Sequence, residues 1–293
     1  MLKKISKWFT AVLFIPLISC DSTIPPPKVI TVSILPQRYF VDVISNQTFI
    51  VNVMVPVGAS PETYEPIAHQ MQAMASSMAY LYIGDLGFES GLMPKISEIN
   101  NRLPIFNCSQ GIDLIEGTHY ISHDGQDHNH KGTDPHIWTS PGSAKIMARN
   151  IANALMQIDP ENKDMYQENL DALILKMDST QQGIKEKLAN LKSRKFIIFH
   201  PALSYFAKEF DLEQIAIEFE GKNPTAYQIA DLVDRAKKDS VQIVIIQKEF
   251  DVENAQVISN EIKSKIVQLN TLEQDWFVMM DKLPRLLLGE ISE

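Results

Sequence analysis

The predicted fold is organised around the stretch PENKDMYQENLDALILKMDSTQQGIKEKLANLK, residues 160–192. After its first residue it contains no proline and a single glycine, Gly183. Its apolar residues recur at intervals typical of a helix, at positions 170, 173, 174, 177, 184, 188 and 191. That spacing puts them on one face of an α-helix, which at 1.5 Å per residue would reach roughly 40 to 50 Å. We therefore predict one long, rigid helix that crosses a whole domain.

Short apolar segments lie on both sides of this helix. Before it they are VITVSI, FIVNVMVPVG, AYLYIG and LPIFN, and after it they are KFIIF, LEQIAI, VQIVII and SKIVQL. Helical patterns alternate with them, among them SPGSAKIMARNIANALMQI, for which Ser140 or Ser143 is the candidate N-cap. Strands that alternate with helices in this way form parallel sheets. The predicted fold is α/β, with two Rossmann-like lobes joined by the long helix.

The position of the long helix divides the chain. We predict an N-terminal lobe over residues 28–158, the linking helix over 159–192 and a C-terminal lobe over 193–293. In the second lobe the helix GKNPTAYQIADLVDRAKK is expected to take Asn223 as its N-cap, with Pro224 in its first turn.

The first twenty residues, MLKKISKWFTAVLFIPLISC, differ from the rest of the chain. Three lysines precede an apolar run, Trp8 to Ile18, that is too short to span a bilayer as a stable helix. The segment ends in a small residue and Cys20, as a bacterial lipobox does. We predict a lipoprotein signal peptide over residues 1–20, lipidation of Cys20 and a proline-stiffened tether over residues 21–27. The alternative is an ordinary signal peptide with a chance cysteine.

The composition is that of an ordinary folded protein, with 45% hydrophobic and 22% charged residues among 293. A net charge of −9 argues against a nucleic-acid partner and is compatible with a cationic ligand. The sequence contains neither G-x-G-x-x-G nor G-x-x-x-x-G-K-[ST], so nucleotide binding has no support. Cys108 is the only cysteine after the predicted signal peptide, and we expect it to be a buried apolar residue without a disulfide.

Three segments place side chains that can bind metal after predicted strands. VPVGASPETYEP carries Glu62 and Glu65, DPHIW carries His136 directly after Pro135, and FIIFHPALSYF carries His200. Ligand-binding residues of open parallel sheets lie on the loops that leave the carboxyl ends of the strands. Each histidine taken alone has a structural or solvent-facing interpretation. Together, two imidazoles and one carboxylate form a reasonable zinc set.

A second group of histidines lies in residues 119–131, HYISHDGQDHNHK. Its polar and glycine-containing neighbours predict a mobile surface loop. Ordering such a loop costs on the order of 1 kcal/mol or more per residue, so its affinity for zinc should fall below that of a preformed site. An inert polar loop is the alternative. The histidines concerned are His119, His123, His128 and His130.

The order of these motifs is similar to that of one known family. G-x-x-P-x-x-Y-E-P, a histidine-rich stretch, D-P-H-I-W, F-H-P-A-x-x-Y-F-A and E-G-K-x-P follow one another, with a single long helix between the halves. This closely resembles the metal-binding lipoproteins of ABC importers for zinc and manganese, over almost all of the mature chain. The resemblance implies a lipid-anchored, monomeric solute-binding protein that captures Zn²⁺ between two lobes and delivers it to an ABC permease. It implies neither an enzyme nor a nucleic-acid partner.

The resemblance also assigns ligands. Glu62 stands where the family usually has histidine, while His136 and His200 match their motifs. The glutamate would weaken discrimination against manganese or iron, whereas His200 and the histidine-rich loop are the zinc-type choices. The fourth ligand is water, Asn270 or the second oxygen of Glu62. Glu218 and Glu220 are implied to lie near the cleft and to cap or orient, with Glu220 orienting a ligand imidazole. The histidine-rich loop is implied to collect or sense zinc.

Three alternatives stay open at this point. One is a protein of the same family that binds Mn²⁺ or Fe²⁺. Another is a secreted zinc-dependent hydrolase, because two histidines, a glutamate and an open position also suit a hydrolase, although the sequence contains no H-E-x-x-H helix. The third is an adhesin or docking lipoprotein that uses a metal only as a structural clamp.

Overall fold

A computed structural model describes residues 27–116, 132–218, 224–248, 250 and 252–291. The predicted signal peptide with Cys20, the histidine-rich loop 119–131 and Glu220 lie outside the described residues. Among the residues described, no helix is long and apolar enough to cross a membrane.

Four parallel strands form the first sheet, and they confirm the first four predicted strands. They are β1 (Val29–Val32), β2 (Ile50–Val53), β3 (Tyr80–Tyr82) and β4 (Ile105–Asn107). Their order is β2-β1-β3-β4, with Val29 opposite Ile50, Thr31 opposite Tyr80 and Tyr80 opposite Ile105. Since the second and third strands lie on opposite sides of β1, the sheet has a topological switch point at the end of β1, where open α/β sheets bind ligands.

The second sheet repeats this topology after the long helix. Its strands are β5 (Lys195–Ile198), β6 (Glu213–Ala216), β7 (Ile243–Gln247) and β8 (Lys265–Leu269). They are parallel, in the order β6-β5-β7-β8, so the switch point lies at the end of β5. The predicted α/β fold with two parallel sheets is confirmed.

The α-helices alternate with the strands. They are α1 (Leu35–Ser45), α2 (Ala68–Ala75), α3 (Gly87–Ile99), α4 (Pro141–Ile158), α5 (Lys163–Leu188), α6 (Ser204–Glu209), α7 (Ala226–Lys238), α8 (Glu253–Ile262) and α9 (Trp276–Leu287). Short 3-10 helices precede α4 and α5, at Ile137–Thr139 and Pro160–Asn162.

The N-caps of α4 and α7 can be compared with the predicted ones. Ser140 is the N-cap of α4, because its hydroxyl accepts the N–H of Ser143. The prediction for α7 is wrong: its N-cap is Thr225 rather than Asn223. The Thr225 hydroxyl accepts the N–H of Gln228, and the Gln228 side chain accepts the Thr225 N–H in return, which completes a capping box.

The long helix is present as α5. Its 26 residues correspond to about 39 Å, slightly shorter than predicted, because residues 160–162 form a 3-10 turn and the helix ends at Leu188. It packs against α1, α4 and α9 and joins the two sheets. The buried face consists of Tyr166, Leu170, Leu173, Ile174, Met177, Ile184 and Leu188.

One buried cluster connects the two halves of the molecule. The last helix, α9, returns to the first half, where Trp276 packs on Phe40 and Phe277 on Tyr39 with ring centroids 5.9 and 6.1 Å apart. The lobe boundaries at residues 158 and 193 stay a prediction. Cys108 is buried and has no disulfide, as predicted.

Candidate metal centre

Glu62 lies in the loop that follows β2. The loop folds on itself through the N–H of Tyr64, which donates to the carbonyl of Ser60 at 3.1 Å. The Tyr64 hydroxyl donates to Gln70 Oε1 at 2.6 Å, and Gln70 Nε2 donates to the carbonyl of Met54 at 2.8 Å. These hydrogen bonds tie the loop to α2 and to the end of β2, so Glu62 is carried by a defined turn.

His136 is held by the segment that leads into α4. Its carbonyl accepts the Thr139 hydroxyl at 2.8 Å, and Ile137 and Trp138 behind it are fully buried. Trp138 Nε1 donates to the carbonyl of Thr271, and Trp276 Nε1 donates to the carbonyl of Trp138, both at 2.7 Å. The backbone that carries His136 is therefore fastened to the second half of the chain.

His200 stands just after β5, at the switch point of the second sheet. Gln247, at the end of β7, accepts the His200 N–H at 3.3 Å and donates to the His200 carbonyl at 2.6 Å. The ring of Phe250 stacks on the imidazole, with centroids 5.5 Å apart and planes inclined by 23°. His200 is buried, with 7% of the residue exposed, so its ring is held on several sides.

The three side chains converge although they come from distant parts of the chain. His136 Nε2 and His200 Nε2 are 3.4 Å apart, and Glu62 Oε1 lies 3.5 Å from the first and 2.7 Å from the second. Ligands about 2.0 to 2.1 Å from a tetrahedral zinc ion lie roughly 3.3 Å from one another. Two of the three separations match that spacing, and the third is a hydrogen bond that a metal ion would replace.

In each imidazole the second ring nitrogen, Nδ1, contacts a carboxylate. Asp134 Oδ1 lies 2.8 Å from His136 Nδ1, and Glu218 Oε1 lies 2.7 Å from His200 Nδ1. An ionised carboxylate can only accept, so Nδ1 carries a proton in both rings. This leaves Nε2 as the atom available to a metal ion in each histidine.

The ionisable groups of the site change one another's pKa. Burial alone would lower the pKa of His200, but the hydrogen bonds and charges of Glu218 and Glu62 outweigh it and raise the pKa to about 10. Burial would raise the pKa of Glu62, but the hydrogen bond from His200 and the nearby imidazoles hold it below its usual value. The same balance lowers the pKa of Asp134, where burial is outweighed by His136. A metal ion bound at Nε2 of His200 must therefore displace a proton.

The structure places some of the predicted site residues together and others apart. The structure brings Glu62, His136 and His200 together; among the described residues they form the group of acidic and histidine side chains spaced to hold a metal ion. Glu65 is exposed and outside this group. Asn270 follows β8, where its Oδ1 accepts the Leu272 N–H at 3.1 Å and its Nδ2 donates to Glu273 at 3.3 Å.

Some residues of the site were not predicted. Asp134, Gln247 and Phe250 hold the histidines but received no role from the sequence. Glu220, predicted to orient an imidazole, is outside the described residues, and among those described Glu218 makes that contact to His200. A local signal existed only for Asp134, because an acidic residue two positions before a histidine can reach its Nδ1.

Comparison with known proteins shows which family the chain belongs to. The sequence model of the ZnuA family, described as zinc-uptake complex component A, periplasmic, matches residues 30–286. The chain belongs to this family.

Similar proteins extend the comparison. The high-affinity zinc uptake system protein ZnuA of Bacillus subtilis is 27% identical over 229 residues, 76% of this chain and 72% of that protein. The manganese ABC transporter substrate-binding lipoprotein scaA of Streptococcus gordonii is 30% identical over 223 residues, 71% of this chain and 68% of that protein. A crystal structure of a zinc-bound ZnuA deletion mutant has a TM-score of 0.80 at 35% identity, covering 88% of this chain and 96% of that one.

Membership of the ZnuA family settles the class of protein. Its members are substrate-binding components of ABC importers for zinc or manganese, and the chain is such a metal-binding component. It is not an enzyme, so the zinc hydrolase alternative is wrong. A component of this kind works with the permease of its importer.

Proposed function

We propose that this protein captures Zn²⁺ outside the cytoplasmic membrane, in the cleft between its two lobes, and delivers it to the permease of an ABC importer. Glu62, His136 and His200 bind the ion through Oε1 and the two Nε2 atoms. The remaining position is taken by water, Asn270 or the second oxygen of Glu62. Asp134 and Glu218 orient the imidazoles, and Glu218 also raises the basicity of His200.

The convergence of three ligand atoms carries this proposal. Two Nε2 atoms and one carboxylate oxygen lie within 4.8 Å of one another, although their residues are separated by 74 and 64 positions along the chain. The site joins the loop after β2 to the end of β5, so an ion bound there contacts both halves of the molecule. Ligands on opposite sides of a cleft allow capture and release to follow movement of the lobes.

Zinc fits this set better than other common divalent ions do. Imidazole nitrogens suit zinc, and the 3.4 and 3.5 Å ligand separations match a tetrahedral arrangement. Two observations favour manganese as the second candidate: Glu62 supplies an oxygen ligand, and a relative that is 30% identical is named for manganese. The two candidates share the site and differ only in the cargo.

A competition titration tests both candidates. Metal-free protein lacking residues 1–20 is titrated with Zn²⁺ and then with Zn²⁺ against excess Mn²⁺. We expect one tightly bound Zn²⁺ that manganese does not displace. Displacement by manganese would make Mn²⁺ the cargo, and no tight binding of either ion would refute the proposal.

The histidines themselves are tested by substitution. His136→Ala and His200→Ala should each weaken zinc binding by more than the roughly 10 to 100-fold typical of residues that only orient a ligand. His69→Ala is the matched control, because His69 is exposed on α2. Tight binding that survives both substitutions in the metal centre would contradict the assignment.

We further propose that Cys20 carries a lipid anchor and that the mature protein is a monomer. The lipobox-like sequence before Cys20 supports the anchor, and the relative from S. gordonii is named a lipoprotein. Cys20→Ser should move the protein from the membrane fraction to the soluble extracytoplasmic fraction. Retention in the membrane fraction would contradict the anchor.

The histidine-rich loop is proposed to have a separate, auxiliary role. Its four histidines, His119, His123, His128 and His130, would collect zinc or sense it with lower affinity than the metal centre does. Deletion of residues 119–131 should leave the tight site intact and remove only weaker binding. Loss of tight binding would show that the loop belongs to the main site.

A further inference from the structure

Gly87, the first residue of α3, lies directly against the backbone of Glu62. A Cβ atom at Gly87 would stand 2.5 Å from the carbonyl oxygen of Glu62 and 3.5 Å from its carbonyl carbon. Real Cβ atoms keep at least 3.0 Å from such a neighbour, so any other residue here would push the two backbones apart by about 0.5 Å or more. The φ angle of Gly87 lies outside the left-handed region, so conformation alone does not require glycine.

A second contact joins the same two segments. The ring of Tyr64, two residues after Glu62, packs edge-on against Phe88, with centroids 6.3 Å apart and planes at 89°. Phe88 is buried and Tyr64 is half-buried. The Glu62 loop therefore rests on the start of α3 at two neighbouring points. We call Gly87 and Phe88 the α3 platform.

The segment that carries the platform is itself fixed in place. The fully buried carboxylate of Glu89 accepts the backbone N–H groups of Ile83, Gly84 and Leu86 at 2.8, 2.7 and 3.3 Å, and Ser33 donates its hydroxyl to the same group. The platform cannot give way easily, because these bonds tie its loop to the end of β1. A side chain added at Gly87 would therefore displace the Glu62 loop rather than α3.

We propose that Gly87 is a positioning residue of the metal centre, which sets the distance from the Glu62 carboxylate to the two imidazoles. This inference rests on the proposed function of Glu62 as a metal ligand. Metal–ligand distances tolerate errors of only about 0.2 Å, which is less than the displacement that a Cβ at position 87 requires. The bare backbone of Gly87 lets Glu62 seat at the depth where its Oε1 reaches His200 and His136.

Gly91 provides a matched control on the same helix. It lies one turn after Gly87 in α3, is exposed, and has no atom within 4 Å of an added Cβ. Gly87→Ala and Gly91→Ala thus make the same chemical change in the same helix. They differ in that only the first meets the Glu62 backbone.

The test is a double-mutant cycle on protein lacking residues 1–20. Zinc affinity is measured by chelator competition for the parent, Gly87→Ala, Gly91→Ala, Glu62→Ala and the Glu62→Ala variant that also carries Gly87→Ala. We expect Gly87→Ala to bind zinc roughly 10 to 100-fold more weakly, as when a residue that orients a ligand is changed, and Gly91→Ala to bind as the parent does. With Glu62 replaced by alanine, Gly87→Ala should have no further effect, because there is no carboxylate left to misplace.

A spectroscopic measurement separates positioning from general loosening of the fold. The visible absorption spectrum of bound Co²⁺ depends on the ligand set and geometry, so it should change in Gly87→Ala and stay as in the parent in Gly91→Ala. Parent-like zinc affinity in Gly87→Ala, or an equal loss with and without Glu62, would overturn the inference. Failure of the parent to bind zinc would instead refute the proposed function.

A second variant applies if Gly87→Ala does not fold. Phe88→Leu adds no atom near Glu62 and removes the ring contact to Tyr64. It should also weaken zinc binding, by a smaller factor, and only when Glu62 is present. Unchanged affinity in a folded Phe88→Leu protein would then count against the platform.

Discussion

Glu218 Oε1 lies 2.7 Å from Nδ1 of His200. The contact orients the imidazole so that Nε2 points to the centre of the site. Asp134 does the same for His136 at 2.8 Å. Since Asp134 precedes the long helix and Glu218 follows it, each half of the molecule supplies a histidine together with the carboxylate that orients it.

The role of Glu218 can be measured by Glu218→Gln. The substitution keeps the shape of the side chain but removes the negative charge that makes the His200 ring more basic. We expect zinc affinity to fall about tenfold or more while the fold is kept, measured by chelator competition. Glu213→Gln, on β6 just before the segment that carries Glu218, is the control, because its exposed ion pair with Lys195 should contribute little. Equal affinities for the two variants would contradict the role of Glu218.

Glu62 and Glu65 lie three residues apart in one loop, and only Glu62 reaches the histidines. Glu62→Gln replaces an anionic ligand with a neutral and weaker one. We expect at least a tenfold loss of zinc affinity for Glu62→Gln and no change for Glu65→Gln, by calorimetric titration of both proteins. A larger loss in Glu65→Gln would move the carboxylate ligand to that position.

Asp159 stabilises the fold where α4 meets α5. Its side chain is 6% exposed and accepts hydrogen bonds from Lys28, Asn162 and Tyr166 at 2.8, 2.9 and 2.5 Å. Burial raises the pKa of Asp159, but these partners outweigh it and hold the pKa below its usual value. A lowered pKa means that the carboxylate stabilises the protein above the unfolded-state pKa of about 4, and that this contribution is lost as pH falls through the folded-state value.

Asp159→Asn should therefore destabilise the protein by about 1 to 3 kcal/mol at neutral pH, and the difference from the parent should shrink below about pH 4. Urea unfolding at a series of pH values measures both effects. Asp171→Asn, which changes an exposed carboxylate on α5, should stay within about 0.5 kcal/mol of the parent. A difference that grows toward acid pH would show that the sign of the pKa shift is wrong.

Gly183 interrupts the long helix without a steric reason. No atom lies within 4 Å of a Cβ placed there, and its φ lies outside the left-handed region. Gly183→Ala should stabilise the protein by about 0.5 to 1 kcal/mol, because alanine loses less backbone entropy in a helix. The midpoint of thermal unfolding should rise accordingly, with zinc affinity unchanged. A lower midpoint would indicate a contact that requires glycine.

Much of the fold could be predicted because it rests on local periodicity. The eight strands are visible as short apolar runs and the long helix as apolar residues at helical spacing, and so the two-sheet architecture was predicted correctly. Helix α3 was harder to predict from the sequence, because Pro94 and two glycines interrupt the helical spacing of its apolar residues. The N-cap of α7 was misplaced by two residues because Asn223 is also a good cap, although Thr225 and Gln228 have the spacing of a capping box, which is a signal in the sequence.

The amino-acid sequence predicts the alternation of strands and helices, the long helix α5 and the residue types that suit zinc. Those properties follow from spacing of a few residues and from side-chain chemistry. The tertiary structure alone shows that Glu62 Oε1 lies 2.7 Å from His200 Nε2, that Glu218 holds His200, and that Gly87 contacts the backbone of Glu62. These contacts join residues 18 to 138 positions apart, where no local pattern relates one partner to the other, and the packing of two sheets on one helix sets their distances.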